Sequence, residues 1–175
     1  MKSIRPIAVV VAVLSAGFVV WPAAAIAQTG PIAAYSFDEG EGTTAHDASG
    51  NGHDATLEGT EWVGGKYGSA LEFSGESCAT VPGSAALELD GDFSLEAWVR
   101  PTEAEAYAPL IYREAPEESF AYALFLGFEK AGYPEGLVAE EPWSYSKVGA
   151  SAAIPSNAWT HVALTNDGEH LRLYV

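Results

Sequence analysis

Strict alternation over residues 91–101, Gly-Asp-Phe-Ser-Leu-Glu-Ala-Trp-Val-Arg-Pro, constrains this chain more than any other feature. Phe93, Leu95, Ala97 and Val99 fall on one side, and Ser94, Glu96, Trp98 and Arg100 on the other. A period of two is that of a strand packed on one face. Asp90-Gly91 opens the stretch and Pro101 closes it. Roughly nine regular positions at ~3.3 Å each make a long strand, which suits the interior of a sheet better than its edge. The second face carries the large ring of Trp98. That ring needs cover, so the sheet is expected to be overlaid on both sides, by an opposing sheet on one and by long loops or small extra strands on the other.

Short apolar alternations separated by Gly, Pro, Asn and Asp continue this pattern on both sides of the central strand. Ala33, Tyr35 and Phe37 form one face of an expected first strand, and residues 38–54 read as a long turn region. Further strands are expected at 61–63, 69–73, 79–81, 110–113, 120–127, 136–140, 159–165 and 171–175, with one loose helical turn within 82–89. No long stretch beyond residue 27 keeps helical spacing. Roughly ten strands joined by such turns predict an all-β fold, two antiparallel sheets forming one sandwich.

Residues 1–27 read as a signal peptide. Lys2 and Arg5 precede an unbroken apolar run over 7–20, and Ala25-Ile26-Ala27 before Gln28 has the small-x-small pattern of a leader-peptidase site. The expected mature domain is 28–175, secreted or held at the cell surface, with no membrane insertion of its own. Lys and Arg number 8 against 24 Asp and Glu. Two of the eight lie in the leader, so the mature part keeps six against 24, a formal charge of -18. Such a surface repels phosphate backbones, which excludes nucleic acid as a partner class and leaves neutral ligands, cations and basic proteins. A single cysteine, Cys78, permits no disulfide within the chain.

Five blocks carry a family resemblance: residues 34–43 (Ala-Tyr-Ser-Phe-Asp-Glu-Gly-Glu-Gly-Thr), 47–55 (Asp-Ala-Ser-Gly-Asn-Gly-His-Asp-Ala), 64–73 (Gly-Gly-Lys-Tyr-Gly-Ser-Ala-Leu-Glu-Phe), 93–101, and 157–165 (Asn-Ala-Trp-Thr-His-Val-Ala-Leu-Thr). In this order they resemble a bacterial laminin G-like jelly roll of the concanavalin A-like lectin/glucanase superfamily. The resemblance implies a two-sheet antiparallel jelly-roll sandwich used as a recognition or adhesion module. Members continue past the equivalent of Val175 with an Asn-Gly turn and a closing strand, so 28–175 is expected to be incomplete at its C-terminus.

Four constellations are candidates for chemistry. Residues 47–52, Asp-Ala-Ser-Gly-Asn-Gly, combine carboxylate, amide and carbonyl oxygens in a glycine-rich turn, with Asp47 and Asn51 as candidate calcium ligands. The same residues suit plain Asx-turns. In the family that the chain resembles, calcium often sits near this loop. Glu88, Asp90 and Asp92 faintly resemble the carboxylate ladder of retaining glucanases, but Phe93 stands where the last acid belongs, and the stretch also reads as a turn. His46, His53, His161 and His170 have no metal spacing, and His161 reads as a hydrogen-bonded, partly buried strand residue. Trp143 and Tyr145, in an expected loop after Glu140-Glu141-Pro142, offer rings for stacking on sugars, or else cover for Trp98.

The expected function is an exported, non-catalytic module that binds glycan or protein, with calcium as a possible cofactor. A glucanase-like hydrolase, or a structural domain supporting a downstream catalytic region, are the alternatives.

Overall fold

The computed structural model describes residues 11–12, 30–89, 91–103, 105–115, 119–141 and 144–175. Within them the chain forms β1 (Val11–Ala12), β2 (Thr44–Ala45), β3 (Ala55–Glu58), β4 (Glu61–Gly64), β5 (Ser69–Glu72), β6 (Cys78–Thr80), β7 (Phe93–Val99), β8 (Ala108–Ala115), β9 (Ser119–Gly127), β10 (Glu135–Glu141), β11 (Ser144–Gly149), β12 (Thr160–Asn166) and β13 (Leu171–Tyr174). One short 3-10 turn, Ala85–Leu87, interrupts them. All pairings are antiparallel, in the orders β1-β7-β12-β13, β11-β10-β9-β8, β2-β3-β6 and β4-β5.

The alternation in β7 is realised as read. Phe93, Leu95 and Ala97 are buried while Glu96 and Trp98 face outward. Leu95 lies opposite Leu164 and Ala97 opposite Val162 of β12, so one face of the pair is continuous hydrocarbon. Those side chains meet Ile111, Tyr122 and Leu124 from β8 and β9, and this layer is the main core. Fully burying aliphatic side chains such as Leu95, Leu124, Val162 and Leu164 stabilises by ~1.5–3 kcal/mol each. Strand β7 pairs with β12 along its whole length on one side and on the other with only Val11 and Ala12, which belong to the expected signal peptide. The rest of the expected signal peptide lies outside the described residues.

A second core joins Ala33, Tyr35, Ala45, Ala55, Leu57 and Ala79. Here the structure departs from the sequence reading. Residues 33–37 are extended and partly buried but form no ladder strand; a side chain, Asp47, supplies part of their backbone partnering, and Phe37 takes a left-handed φ of 57°. The region 38–54 is not wholly turn, since β2 lies inside it, and β3 and β11 were not anticipated. Each is short or exposed, so its apolar signal is weak. Strand β3 alternates buried and exposed residues over only four positions, and β11 is exposed along nearly its whole length.

Candidate functional site

Strand β9 is apolar on both faces. Tyr122 and Leu124 enter the main core, while Ala123 and Phe125 point to the outer face of their sheet with Leu137 of β10. An aromatic layer covers that outer face. Tyr112 meets Phe125 edge-on at 6.3 Å, Phe125 lies 4.9 Å from Phe128, and Phe120 packs 5.6 Å from Tyr145. Phe128 is flanked by two exposed tyrosines, each nearly at right angles to it: Tyr107 at 5.5 Å and Tyr145 at 6.2 Å. Tyr107 is 64% exposed and Tyr145 40%. Tyr107 also holds a left-handed φ of 58°, a costly conformation for a bulky residue, which here keeps an aromatic ring at the surface.

Charged groups border these rings. Lys147 Nζ lies 2.7 Å from Glu129 Oε2 and 3.5 Å from Glu135 Oε1. Glu129 beside it holds the ammonium above its usual value. Glu135 is buried, and its Oε2 accepts the peptide N–H groups of Phe128 and Glu129, both at 2.8 Å. It therefore fixes the turn that places Phe128 between the tyrosines. Exposed ring faces can stack on the apolar face of a sugar, and a carboxylate and an ammonium beside them can accept from and donate to hydroxyls.

Tyr145 is thus brought into an aromatic site, although as part of β11 rather than of a loop. Trp143 lies outside the described residues. Tyr145 does not cover Trp98, which belongs to the other sheet and is 44% exposed; among the described residues its partial cover comes from Lys66 and Tyr67. Sequence reasoning missed Tyr107, Phe128, Glu129 and Lys147. The recurrence of Phe120, Phe125 and Phe128 was a usable signal of an aromatic layer; nothing local marks Tyr107.

Asp47 and Asn51 lie in one turn, each bonded to the backbone of residues 31–34. The Asp47 side chain is fully buried. Its Oδ1 accepts the N–H of Ala34 (3.0 Å) and of Ser49 (2.9 Å); its Oδ2 accepts the N–H of His53 (3.0 Å) and the Ser49 hydroxyl (2.7 Å). Four donors fill the four acceptor positions of a carboxylate. Burial alone would push this carboxyl up; the bonds from Ser49, His53 and Ala34 outweigh it and bring the pKa down to about 2. Asn51 turns its amide nitrogen inward, donating to Ile32 O at 2.8 Å and Ser49 Oγ at 3.0 Å. A calcium ion needs free oxygen donors, and in this arrangement all four acceptor positions of Asp47 are taken. Among the described residues no cluster of His, Cys, Asp or Glu is arranged to hold a metal.

Glu88 is ion-paired with Arg113, and Asp90 lies outside the described residues. His53 is buried, with Nδ1 3.1 Å from Ile32 O and Nε2 2.9 Å from Ser84 Oγ. His46 lies 3.0 Å from Asp54, and His170 3.6 Å from Asp167. His161 is half-buried on the outer face of β12, beside Glu96 and Trp98. Cys78 is buried and free.

The two opposed antiparallel sheets, with almost no helix, place the chain among jelly-roll sandwiches of the concanavalin A-like kind. Residues 73–175 match a laminin G-type family model described as the concanavalin A-like lectin/glucanases superfamily, and the chain belongs to this family. Comparison with characterised proteins and with solved structures gave no match. At the coarse level the membership supports a carbohydrate- or protein-binding module; laminin G-like domains are typically such modules, although the superfamily includes glucanases. These domains are commonly extracellular, and no helix among the described residues is long and apolar enough to cross a membrane.

Proposed function

We propose that this domain is an exported, non-catalytic glycan-recognition module that binds neutral sugars on the outer face of the β8–β11 sheet. The observation that carries the reading is the pair of exposed tyrosines, Tyr107 and Tyr145, set against Phe128 beside the Glu129–Lys147 ion pair. Rings at right angles present differently oriented stacking surfaces, and the ion pair supplies an acceptor and a donor at their edge. The strongly acidic composition favours a neutral glycan over a sulfated or phosphorylated one.

A hydrolytic role fits the same face less well. Glu129 and Glu135 share Lys147 between them, and Glu135 already spends Oε2 on two peptide N–H groups. A retaining or inverting pair needs one carboxyl free to protonate a leaving group and a second free to attack or to activate water.

Affinity electrophoresis of the exported protein through gels cast with neutral polysaccharides, alongside a reducing-end assay, tests the proposal. Retardation without hydrolysis is expected. Tyr145→Ala and Tyr107→Ala should each weaken it roughly five- to tenfold, the ~1–1.5 kcal/mol of an aromatic contact. Retardation unchanged in the double variant, or none on any neutral polysaccharide, would sink the reading, and turnover of a β-glucan would replace it with the hydrolase.

A further inference from the structure

The outer face of the other sheet holds a second constellation, on β7 and β12. Trp98 and His161 are cross-strand partners, their ring centroids 5.2 Å apart. Glu96, two positions before Trp98 on the same face, has Oε2 3.6 Å from His161 Nε2. From the β4–β5 hairpin Tyr67 stands edge-on to Trp98, at 86° and 6.2 Å, and remains 71% exposed. Lys66 places its ammonium 4.8 Å from the Trp98 centroid and 5.9 Å from that of Tyr67. Both distances lie within cation–π range.

Like Arg100 over Trp159 and Lys130 over Tyr133, this cation is held by rings rather than by a carboxylate, and it alone among the three reaches two of them. Acids outnumber bases 24 to 8 in this chain, yet among the described residues the Lys66 ammonium pairs with no carboxylate and lies over rings. The turn that presents it is built to do so. Gly65 N–H donates to Gly68 O at 3.0 Å; a Cβ on Gly65 would lie 2.4 Å from Ser69 O, and Gly68 holds φ +58° with the Asp38 carboxylate where a Cβ would stand. Neither position tolerates a side chain without shifting backbone or breaking the turn. Trp98 is fixed by the central strand, Tyr67 and Lys66 by a two-glycine turn, and Glu96 adds negative charge.

We infer that Trp98, Tyr67, His161 and Glu96 form a cation-accepting aromatic cage on the outer face of β7–β12, which takes a small quaternary ammonium ion of the choline type in exchange for Lys66. Charge complementarity selects the ligand class: the chain's strong negative charge attracts cations, and Glu96 disfavours zwitterions that carry their own anion beside the ammonium. A quaternary ammonium sheds water more readily than the primary ammonium it displaces, and aromatic cages hold such groups well. Lys66 acts as a tethered competitor at high effective concentration, so it sets a threshold for occupancy. This site lies on the opposite sheet from the tyrosine face and does not depend on the glycan reading.

Titration of the full chain with choline chloride, followed by the indole N–H resonances and matched with sodium chloride for ionic strength, is the test. The Trp98 resonance, assigned from Trp98→Phe, should shift saturably with choline. It should stay unmoved with 3,3-dimethylbutan-1-ol, the uncharged carbon isostere, and with methyl β-glucoside. Lys66→Ala should tighten binding about two- to fivefold, the worth of an exposed cation–π contact. Tyr67→Ala, at an exposed position that leaves the core untouched, should weaken it by a similar factor. The inference is overturned if choline moves no indole resonance in either the wild type or Lys66→Ala, if the neutral isostere binds equally well, or if Lys66→Ala weakens binding. A glucoside that shifts Trp98 while choline does not would make the face a sugar platform instead.

Discussion

The carboxylate of Asp47 and the backbone of Ala34 are bonded across 13 residues of chain: Oδ1 accepts the Ala34 N–H at 3.0 Å, and Ala34 O accepts the Ala48 N–H at 2.7 Å. A side chain here does what a ladder strand does elsewhere. It explains how Ala33 and Tyr35 stay buried in the second core without a strand beside them along their whole length.

Asp47→Asn should therefore destabilise the domain although it preserves shape. The new amide would turn a donor toward either the His53 N–H or the Ala34 and Ser49 N–H groups, leaving at least one buried donor unpaired at ~1–3 kcal/mol. Urea melts at pH 7 check this. In the wild type the folded pKa of about 2 lies below the ordinary 3.8, so the stabilisation is complete above about pH 4 and is lost as pH falls toward 2. Asp47→Asn should lack that acid-dependent component, and the two melts should converge at low pH.

Calcium should not stabilise the domain through residues 47–52, because the Asp47 oxygens are filled by N–H and O–H donors. A ligand that binds only the folded state raises Tm, so melts in calcium and in chelator should superimpose. A rise in Tm with calcium that disappears in Asp47→Ala would show that the loop rearranges to bind it.

Gly136→Ala should cost about 1–3 kcal/mol despite being the smallest change possible in β10. A Cβ at Gly136 would lie 2.1 Å from Leu164 Cδ1 and 2.9 Å from its Cγ, and Leu164 has no exposed surface into which to retreat. The measurement is the denaturation midpoint, with Gly149→Ala as a control, since the nearest atom to a Cβ there is 3.5 Å away.

Cys78 should be silent to thiol reagents in the native protein. It is 3% exposed and unpaired, so modification has to wait for opening of β6. Native labelling as fast as labelling in denaturant would contradict this placement.

What the sequence determined by itself was the sheet-forming pattern and the family. Period-two burial is written into β7 residue by residue, because one face of that strand contacts hydrocarbon along its length and every second position must be apolar. The same logic located β4, β5, β6, β9, β10, β12 and β13 to within a few residues. It did not locate β2, β3 or β11, where two or four residues or a largely exposed surface leave little apolar signal. Nor could it choose between metal ligand and turn for Asp47, since both demand an oxygen acceptor in a glycine-rich loop. Only the tertiary structure decided that the four groups facing that acceptor are donors, one of them from Ala34. The tyrosine face was equally out of reach: Tyr107, Phe128 and Tyr145 converge from three separate segments. Their convergence depends on strand register, which is a property of pairs of segments and is written in no one of them.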